Sequence, residues 1–281
     1  MSVLTINKLT ESVGAEVTGL DSDALADDHT LGAAILDALE DNGVLVFPGL
    51  SLEPEAQVAF SRRLGEIDHS SDGHHPVAGI YPVTLDRKKN ASAAYLRATF
   101  DWHIDGCTPT GDECPQRATV LTAKQVAERG GETEFANSYA AHEAFSDEEK
   151  RRFGALRVVH SLEASQRRVN PDPSAEELAR WRARPTHEHP LVWTHRSGRK
   201  SLVLGASADH VVGMDPDEGR ALLDDLLDRA TRPELVYSHR WSVGDTVIWD
   251  NNGVLHRAGR YAPDSDRLML RTTVLGEEPI Q

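Results

Sequence analysis

The chain has very little cysteine and no long apolar run. Cys107 and Cys114 are the only cysteines among 281 residues, and neither has the paired spacing or the histidine partner of a zinc motif. So few cysteines exclude a disulfide framework. No stretch reaches the apolar length of a membrane span, and residues 1–5 lack the charged and apolar regions of a signal peptide. The sequence therefore predicts a cytoplasmic protein without a membrane partner.

Basic residues are also scarce. The 30 lysines and arginines are outnumbered by 45 aspartates and glutamates, which gives a formal net charge of −15. Phosphate binding needs a basic surface, so this balance argues against nucleic acid as a partner. A negative field also repels anions at long range, so any small anion that binds must be attracted by local arginines.

Hydrophobic periodicity indicates a β-rich domain with flanking helices. Apolar runs typical of strands occur at 44–47, 118–122 and 246–249. Helical spacing or helix-boundary signals mark 31–39, 54–64, 138–145, the residues that follow Ser146, 172–184 and 217–230. The stretch at 70–90 is rich in Gly, His, Pro and charge, which predicts a long loop.

One pair of residues indicates a metal site. His103 and Asp105 are two residues apart, so on a strand their side chains point to the same side. A third ligand from a distant strand would complete two imidazoles and one carboxylate, the facial triad of non-haem Fe(II) oxygenases. A lone His-x-Asp pair is a weak signal in a chain with thirteen histidines. The apolar run at 246–249, which leads to His256, strengthens it.

Two arginines near the end of the chain share one side of a predicted strand. Arg267, Met269 and Arg271 alternate with two leucines, so both guanidiniums lie on the face opposite the leucines. An arginine inside a barrel needs an anionic partner, because an unpaired buried charge is very costly. The partner is either a bound anion or one of the acidic residues of the chain.

Several short motifs follow one another in a fixed order. They are Trp102-His103-x-Asp105, the run from Gly130 to Phe135, Gly244-Asp245, Trp249-Asp250-Asn251, His256, Arg267 and Arg271. In order and spacing they resemble the Fe(II)/2-oxoglutarate dioxygenases of the taurine dioxygenase and 2,4-dichlorophenoxyacetate dioxygenase family. The resemblance covers nearly the whole chain and implies a double-stranded β-helix, or jelly roll, as the core. Strands that are distant in sequence become neighbours in that fold.

The resemblance implies a role for five residues in the metal and co-substrate site. His103, Asp105 and His256 would hold Fe(II). Arg267 would pair with the distal carboxylate of 2-oxoglutarate, and Thr133 would add a hydrogen bond to the same carboxylate.

Four further residues are candidates for substrate binding. By resemblance, Arg271 would meet an acidic group of the substrate. His75 belongs to a His-Pro-Val stretch that resembles a substrate-contacting stretch of the taurine enzymes, although Ala78 stands where those enzymes have tyrosine. Thr99 replaces the asparagine that those enzymes carry four positions before the first histidine ligand. His210 follows an apolar strand and could reach the pocket.

The reaction that the resemblance implies consumes 2-oxoglutarate and O2 and releases succinate and CO2. The expected substrate is a small anion such as an aryloxyalkanoate or an alkylsulfonate. If the hydroxylated carbon bears an ether oxygen or a sulfonate, the product breaks into two fragments. Two other classes stay open: a metal-dependent hydrolase that uses the same three ligands, and a non-enzymatic jelly-roll binding protein.

The sequence also predicts how the chain is organised. We expect one dioxygenase domain over 1–281, a lid loop at 70–99 and an inserted segment at about 160–190. Family members are commonly dimers or tetramers, so a homo-oligomer is expected.

Overall fold

The structure is a computed structural model that describes residues 4–20, 30–69, 75–109 and 114–281. Strands dominate the described residues. They are β1 (Thr5–Lys8), β2 (Ala15–Thr18), β3 (Val44–Phe47), β4 (Tyr81–Val83), β5 (Ala118–Gln125), β6 (Thr133–Asn137), β7 (Arg157–His160), β8 (His187–Pro190), β9 (Val192–Thr194), β10 (Lys200–Leu202), β11 (Ala208–Val211), β12 (Val236–His239), β13 (Thr246–Asp250), β14 (Val254–Ala258) and β15 (Leu268–Val274).

The helices are shorter and lie between the strands. They are α1 (Leu31–Asn42), α2 (Pro54–Leu64), α3 (Ser138–Glu143), α4 (Asp147–Gly154), α5 (Leu162–Arg167), α6 (Ala175–Arg182) and α7 (Pro216–Ala230), with 3-10 turns at Tyr95–Phe100 and Pro233–Leu235. None of the helices in the described part of the chain has the length and apolar character that crossing a membrane requires.

Two sheets form the double-stranded β-helix that the resemblance implied. The larger sheet has the order β1-β2-β3-β13-β5-β15-β4, and the smaller has the order β12-β6-β14. One apolar cluster joins them: Val46, Leu121 and Trp249 come from the larger sheet, and Phe135 and Val254 from the smaller. The jelly-roll core therefore has its hydrophobic interior between these sheets.

The outer face of the larger sheet is covered by helices. Leu45 and Ile248 belong to a second apolar cluster, with Ile35 of α1 and Phe60 of α2. Strands buried on both faces carry continuous apolar runs instead of an alternating pattern. This burial explains why residues 44–47 and 246–249 were recognisable as strands in the sequence.

Helix α7 packs against β11 and α3. Its Leu223 and Leu226 are buried in one cluster with Trp193 and with Leu255 of β14. The amphipathic pattern at 217–230 predicted this helix, and the leucines that the pattern placed on its apolar side pack there. Leu222 lies at the margin of the cluster and is only partly buried.

The prediction of an unbroken loop at 70–90 was wrong in one part. Residues 81–83 form β4, which pairs with Met269–Arg271 of β15 at the edge of the larger sheet. Three residues with a central proline are too few to show alternation of apolar and polar residues in the sequence. An edge strand tolerates proline because only one of its two sides donates N–H groups to a neighbouring strand. Residues 70–74 of the predicted lid lie outside the described residues.

The segment at about 160–190 has regular structure of its own. It contains α5 and α6, and β8 pairs with β7. A capping box formed by Ser174 and Glu177 opens α6, in the same manner as the predicted box of Ser146 and Glu149 opens α4.

Replacing Leu223 by alanine tests the packing of α7. Leu223→Ala should lower the free energy of unfolding by about 2–5 kcal/mol, because a cavity remains in a fully packed cluster. Leu222→Ala is the matched control and should cost much less, since its side chain is partly exposed. Denaturant unfolding followed by circular dichroism measures both. Equal losses in the two variants would contradict the assigned burial of the helix.

Candidate metal centre

Backbone pairing brings two distant histidines together. The His103 N–H donates to the His256 carbonyl at 3.0 Å, and the His256 N–H donates to the His103 carbonyl at 2.8 Å. His256 lies on β14, and the two ring centroids are 4.1 Å apart. With Asp105 added, one potential ligand atom from each residue lies within 4.8 Å of the other two.

The three side chains direct their donor atoms at one point. The Asp105 carboxylate lies 3.8 Å from Nε2 of His103 through one oxygen and 3.8 Å from Nε2 of His256 through the other. The Nδ1 of His103 lies 2.9 Å from the Asp101 carbonyl, which fixes a proton on Nδ1 and leaves the Nε2 lone pair free. Two imidazole nitrogens and one carboxylate fit a divalent transition metal and leave positions for other ligands.

The electrostatics of the cluster favour metal binding. Burial alone would raise the pKa of Asp105, but electrostatic interaction with His256, Arg271 and His103 lowers it below the usual range. Burial and the neighbouring His103 lower the pKa of His256 to about 3. At neutral pH the site therefore presents a carboxylate and an uncharged His256 ring, which is the state that coordinates a cation.

A chain of hydrogen bonds supports Asp105 from behind. Asn251 Nδ2 donates to Thr119 Oγ1 at 3.0 Å, and the Thr119 hydroxyl donates to the Asp105 carboxylate at 3.4 Å. The asparagine of the Trp-Asp-Asn motif thus acts on the cluster through Thr119, a residue that the sequence analysis missed. Buried Asp250 of the same motif accepts the Tyr139 hydroxyl at 3.1 Å instead.

Arg267 is a buried cation without a carboxylate partner. It is 3% exposed, and among the described residues no carboxylate oxygen lies within 4.0 Å of its guanidinium. Its Nη2 donates to the Gly131 carbonyl at 3.1 Å, and its guanidinium lies 4.8 Å from the centre of the Tyr261 ring. Burial lowers the pKa of Arg267, although arginine stays charged at neutral pH. Such a group can hold an anion.

Arg271 faces the cluster from the neighbouring part of β15. Its Nη1 lies 3.8 Å from the Asp105 carboxylate, and its guanidinium lies 4.8 Å from the centre of the Tyr81 ring. Asn90 donates to the Tyr81 hydroxyl at 3.0 Å and thereby holds that ring. Within the described part of the chain, the buried Nε of Arg271 has no hydrogen-bond partner. The predicted alternation is correct in that both arginines face one cavity, although Arg267 precedes the strand and a bulge follows it.

Seven of the nine predicted site residues line this cavity. They are Thr99, His103, Asp105, Thr133, His256, Arg267 and Arg271. Apolar side chains complete the wall, among them Val83, Leu96 and Leu121. The Thr99 hydroxyl donates to the Leu96 carbonyl at 2.7 Å, so it can only accept a hydrogen bond from a ligand.

The structure does not bring the other two predicted residues to the cavity. His210 lies on β11 with its side chain 52% exposed, and its Nδ1 is 2.9 Å from the Asp209 carboxylate. His75 accepts the Val77 N–H on Nδ1 at 3.1 Å. His210 was predicted from its position after an apolar strand, and His75 from the resemblance of a short His-Pro-Val stretch. In the structure, Nδ1 of each ring has a local polar partner instead.

Gly205 allows the chain to pass directly behind the first histidine. It has φ +111°, and a Cβ on it would lie 2.6 Å from the Trp102 carbonyl oxygen and 2.8 Å from the His103 Cα. The next residue, Ala206, donates its N–H to the same Trp102 carbonyl at 2.7 Å. A glycine without a flanking motif gives no sequence signal for this contact.

The chain is similar to known dioxygenases along nearly its whole length. The family described as "Taurine catabolism dioxygenase TauD, TfdA family" matches residues 5–273. An alpha-ketoglutarate-dependent 2,4-dichlorophenoxyacetate dioxygenase of Burkholderia sp. (strain RASC) is 36% identical over 252 residues, which cover 85% of this chain and 83% of that protein. An (S)-phenoxypropionate/alpha-ketoglutarate-dioxygenase of Sphingobium herbicidovorans is 31% identical over 279 residues, 97% and 95% of the two chains.

A solved structure shares the fold. The crystal structure of AAD-2 in complex with Mn(II) and N-oxalylglycine matches with a TM-score of 0.84 and 31% identity, and the match covers 99% of this chain and 100% of that chain.

Adding a methyl group at Gly205 should disturb the metal cluster. Gly205→Ala combines a left-handed backbone with the contacts to Trp102 and His103, so we expect a loss of more than about 2 kcal/mol in stability. Metal affinity should fall roughly 10–100-fold, as it does when a supporting partner of a ligand is lost. Differential scanning calorimetry and a Mn(II) titration measure the two effects.

Gly198→Ala is the matched control for this variant. Gly198 also has a positive φ, +83°, but a Cβ there would meet no atom of the described residues within 4 Å. It should cost only the roughly 1–2 kcal/mol of the left-handed conformation and leave metal affinity unchanged. If both variants bind Mn(II) like the wild type, Gly205 does not position His103.

Proposed function

Because this chain belongs to the TauD/TfdA family and is an Fe(II)- and 2-oxoglutarate-dependent dioxygenase, we propose that it hydroxylates a small substrate with one anionic group on an apolar body. The observation that carries the proposal is Arg271. Its guanidinium borders the metal cluster, and among the described residues its buried Nε has no hydrogen-bond partner. Val83, Leu96 and Leu121 give part of the same cavity an apolar wall. A carboxylate or sulfonate would supply the missing partner.

Six side chains of the cavity have a role in this proposal. His103, Asp105 and His256 would hold the iron, which when bound supplies the centre where 2-oxoglutarate and O2 react. Arg267 would pair with the distal carboxylate of 2-oxoglutarate, because it is a buried cation with no carboxylate oxygen within 4.0 Å among the described residues. Thr133 would donate its hydroxyl to the same carboxylate. Arg271 would orient the substrate so that one of its carbons faces the metal.

Aryloxyalkanoates are the substrate class that this arrangement supports best. Val83, Leu96 and Leu121 offer an apolar surface to an aromatic body, while Arg271 takes the carboxylate. The names of two relatives, for 2,4-dichlorophenoxyacetate and (S)-phenoxypropionate, point to the same class. Hydroxylation at the carbon beside the ether oxygen gives a hemiacetal, which breaks into a phenol and an oxo acid.

The alternatives explain less of the site. A metal-dependent hydrolase would use the three ligands and a bound water, but it would provide no anion to pair with the buried charge of Arg267. A non-enzymatic binding protein would leave the convergent ligand atoms unexplained as well. The cytoplasmic location, the dimeric or tetrameric assembly and the absence of nucleic acid and membrane partners stay predictions.

The experiment that tests the function is an anaerobic titration with Fe(II) and 2-oxoglutarate. The wild type should give a weak visible charge-transfer band, and Asp105→Ala should lose both the band and succinate formation, because two neutral imidazoles hold a divalent cation poorly. The loss of iron affinity should exceed the roughly 100-fold that removal of an outer partner causes. Asp209→Ala, which removes an exposed carboxylate paired with His210, is the control and should behave like the wild type.

A second experiment tests the substrate anchor. Arg271→Lys should reduce kcat/KM for an aryloxyalkanoate by roughly 10–100-fold, since lysine keeps the charge but loses the planar fork. Slow conversion of 2-oxoglutarate to succinate without substrate should persist. Arg257→Lys, at an arginine that pairs with Glu134 beside the cluster, is the control. If iron binding and the uncoupled reaction both collapse in Arg271→Lys, this arginine serves the co-substrate and the anionic substrate loses its support.

A further inference from the structure

We propose that Trp241 is a positioning residue that directs the hydroxyl of Thr133 at the co-substrate. The proposal rests on the proposed function, in which Thr133 and Arg267 receive the distal carboxylate of 2-oxoglutarate. It comes from one contact: the indole Nε1 of Trp241 donates a hydrogen bond to Thr133 Oγ1 at 2.9 Å. Neither the motifs nor the spacing of the sequence singled out Trp241.

The direction of this hydrogen bond decides where the threonine proton goes. An indole N–H can donate but cannot accept, so Trp241 occupies a lone pair of the hydroxyl and leaves its proton unused. In the part of the chain that the structure describes, Thr133 Oγ1 makes no other hydrogen bond. Thr133 is 4% exposed and lines the cavity. A carboxylate placed there would therefore find an O–H donor whose acceptor side is already satisfied.

The Thr133 hydroxyl adds a hydrogen-bond donor for the co-substrate carboxylate, because part of the Arg267 guanidinium already has partners within the protein. One of its terminal nitrogens donates to the Gly131 carbonyl, and its guanidinium carbon lies 4.8 Å from the centre of the Tyr261 ring. These contacts fix the guanidinium and reduce the number of N–H groups that remain for a carboxylate. A second donor from another strand would complete the contact. Donation by Trp241 also polarises the hydroxyl, which strengthens the hydrogen bond that it donates onward.

Hydrogen bonds and a ring contact hold Trp241 and its loop in place. Asp245 accepts the Ser242 N–H at 2.8 Å through one oxygen and the Gly49 N–H at 3.1 Å through the other. The Trp241 ring also packs edge-on against the His239 ring, with centroids 4.6 Å apart. The Gly244-Asp245 motif thus fixes the turn whose indole reaches Thr133. Asp245 would therefore support co-substrate binding indirectly, by holding Trp241 against Thr133.

The test measures binding, so it does not depend on turnover. Protein loaded with Zn(II), a redox-inert ion that His and Asp ligands bind, is titrated calorimetrically with N-oxalylglycine. Trp241→Phe should weaken binding roughly threefold to tenfold, the factor expected when one net hydrogen-bond contribution is lost. Trp193→Phe is the matched control, because Trp193 is buried and its indole N–H has no hydrogen-bond partner among the residues that the structure describes. It should leave the affinity unchanged.

A double-mutant cycle separates positioning from a general effect on packing. In a Thr133→Val background, where the side chain keeps its shape but has no hydroxyl, Trp241→Phe should change the affinity less than about twofold. If Trp241→Phe costs the same in both backgrounds, or costs nothing in the wild type, the proposal is wrong. Arg267→Ala serves as the reference. If it leaves the affinity unchanged, the assigned carboxylate site itself fails, and the inference fails with it.

A spectroscopic measurement keeps the proposal testable if Trp241→Phe does not fold. In 15N-tryptophan-labelled protein, the Nε1–H resonance of Trp241 should move when N-oxalylglycine is added to the Zn(II) form. The same resonance should shift upfield in Thr133→Val, where its acceptor is gone, and should no longer respond to the ligand. An indole resonance that is identical in Thr133→Val and the wild type would overturn the hydrogen bond and the proposal.

Discussion

The backbone pairing of His103 with His256 is the constraint on which the site depends. Two hydrogen bonds hold together residues that are 153 positions apart (256 − 103). Asp105 reaches the same point because it follows His103 by two residues. Gly205 can pass behind His103 only because it lacks a Cβ. A shift of one residue in this pairing would turn a ligand away from the cluster, since neighbouring side chains on a strand point to opposite faces.

The charges of the site are arranged around this pair. Asp105 has two histidines and Arg271 near its carboxylate, so one negative charge faces several groups that stabilise it. Arg267 is different, because it is buried among a carbonyl and an aromatic ring and meets no carboxylate in the described residues. The two arginines are four residues apart, yet Arg271 borders the metal ligands whereas Arg267 has no anion beside it in the described residues. This difference is the physical basis for giving them different ligands.

Much of the architecture was readable because its strands are buried on both sides. The runs at 44–47 and 246–249 are apolar because helices cover one face and the jelly-roll interior the other. Edge strand β4 was missed, since three residues around a proline have no period and gain their structure from β15. The supporting contacts of the site were missed for a related reason. Thr119 and Trp241 are ordinary residues in the sequence, and only packing gives them their partners.

The sequence by itself determined the chemical groups of the site, because a metal ligand or a carboxylate-binding arginine must be a particular residue type at a particular spacing. His103, Asp105, His256, Arg267 and Arg271 could therefore be proposed from the chain alone. Only the tertiary structure decided which other polar residues join them. His210 and Thr133 were both candidates in the sequence, but His210 lies beside the exposed carboxylate of Asp209, whereas Thr133 lines the cavity. A hydrogen bond depends on distance and direction, and those are fixed only when strands from distant parts of the chain have packed together.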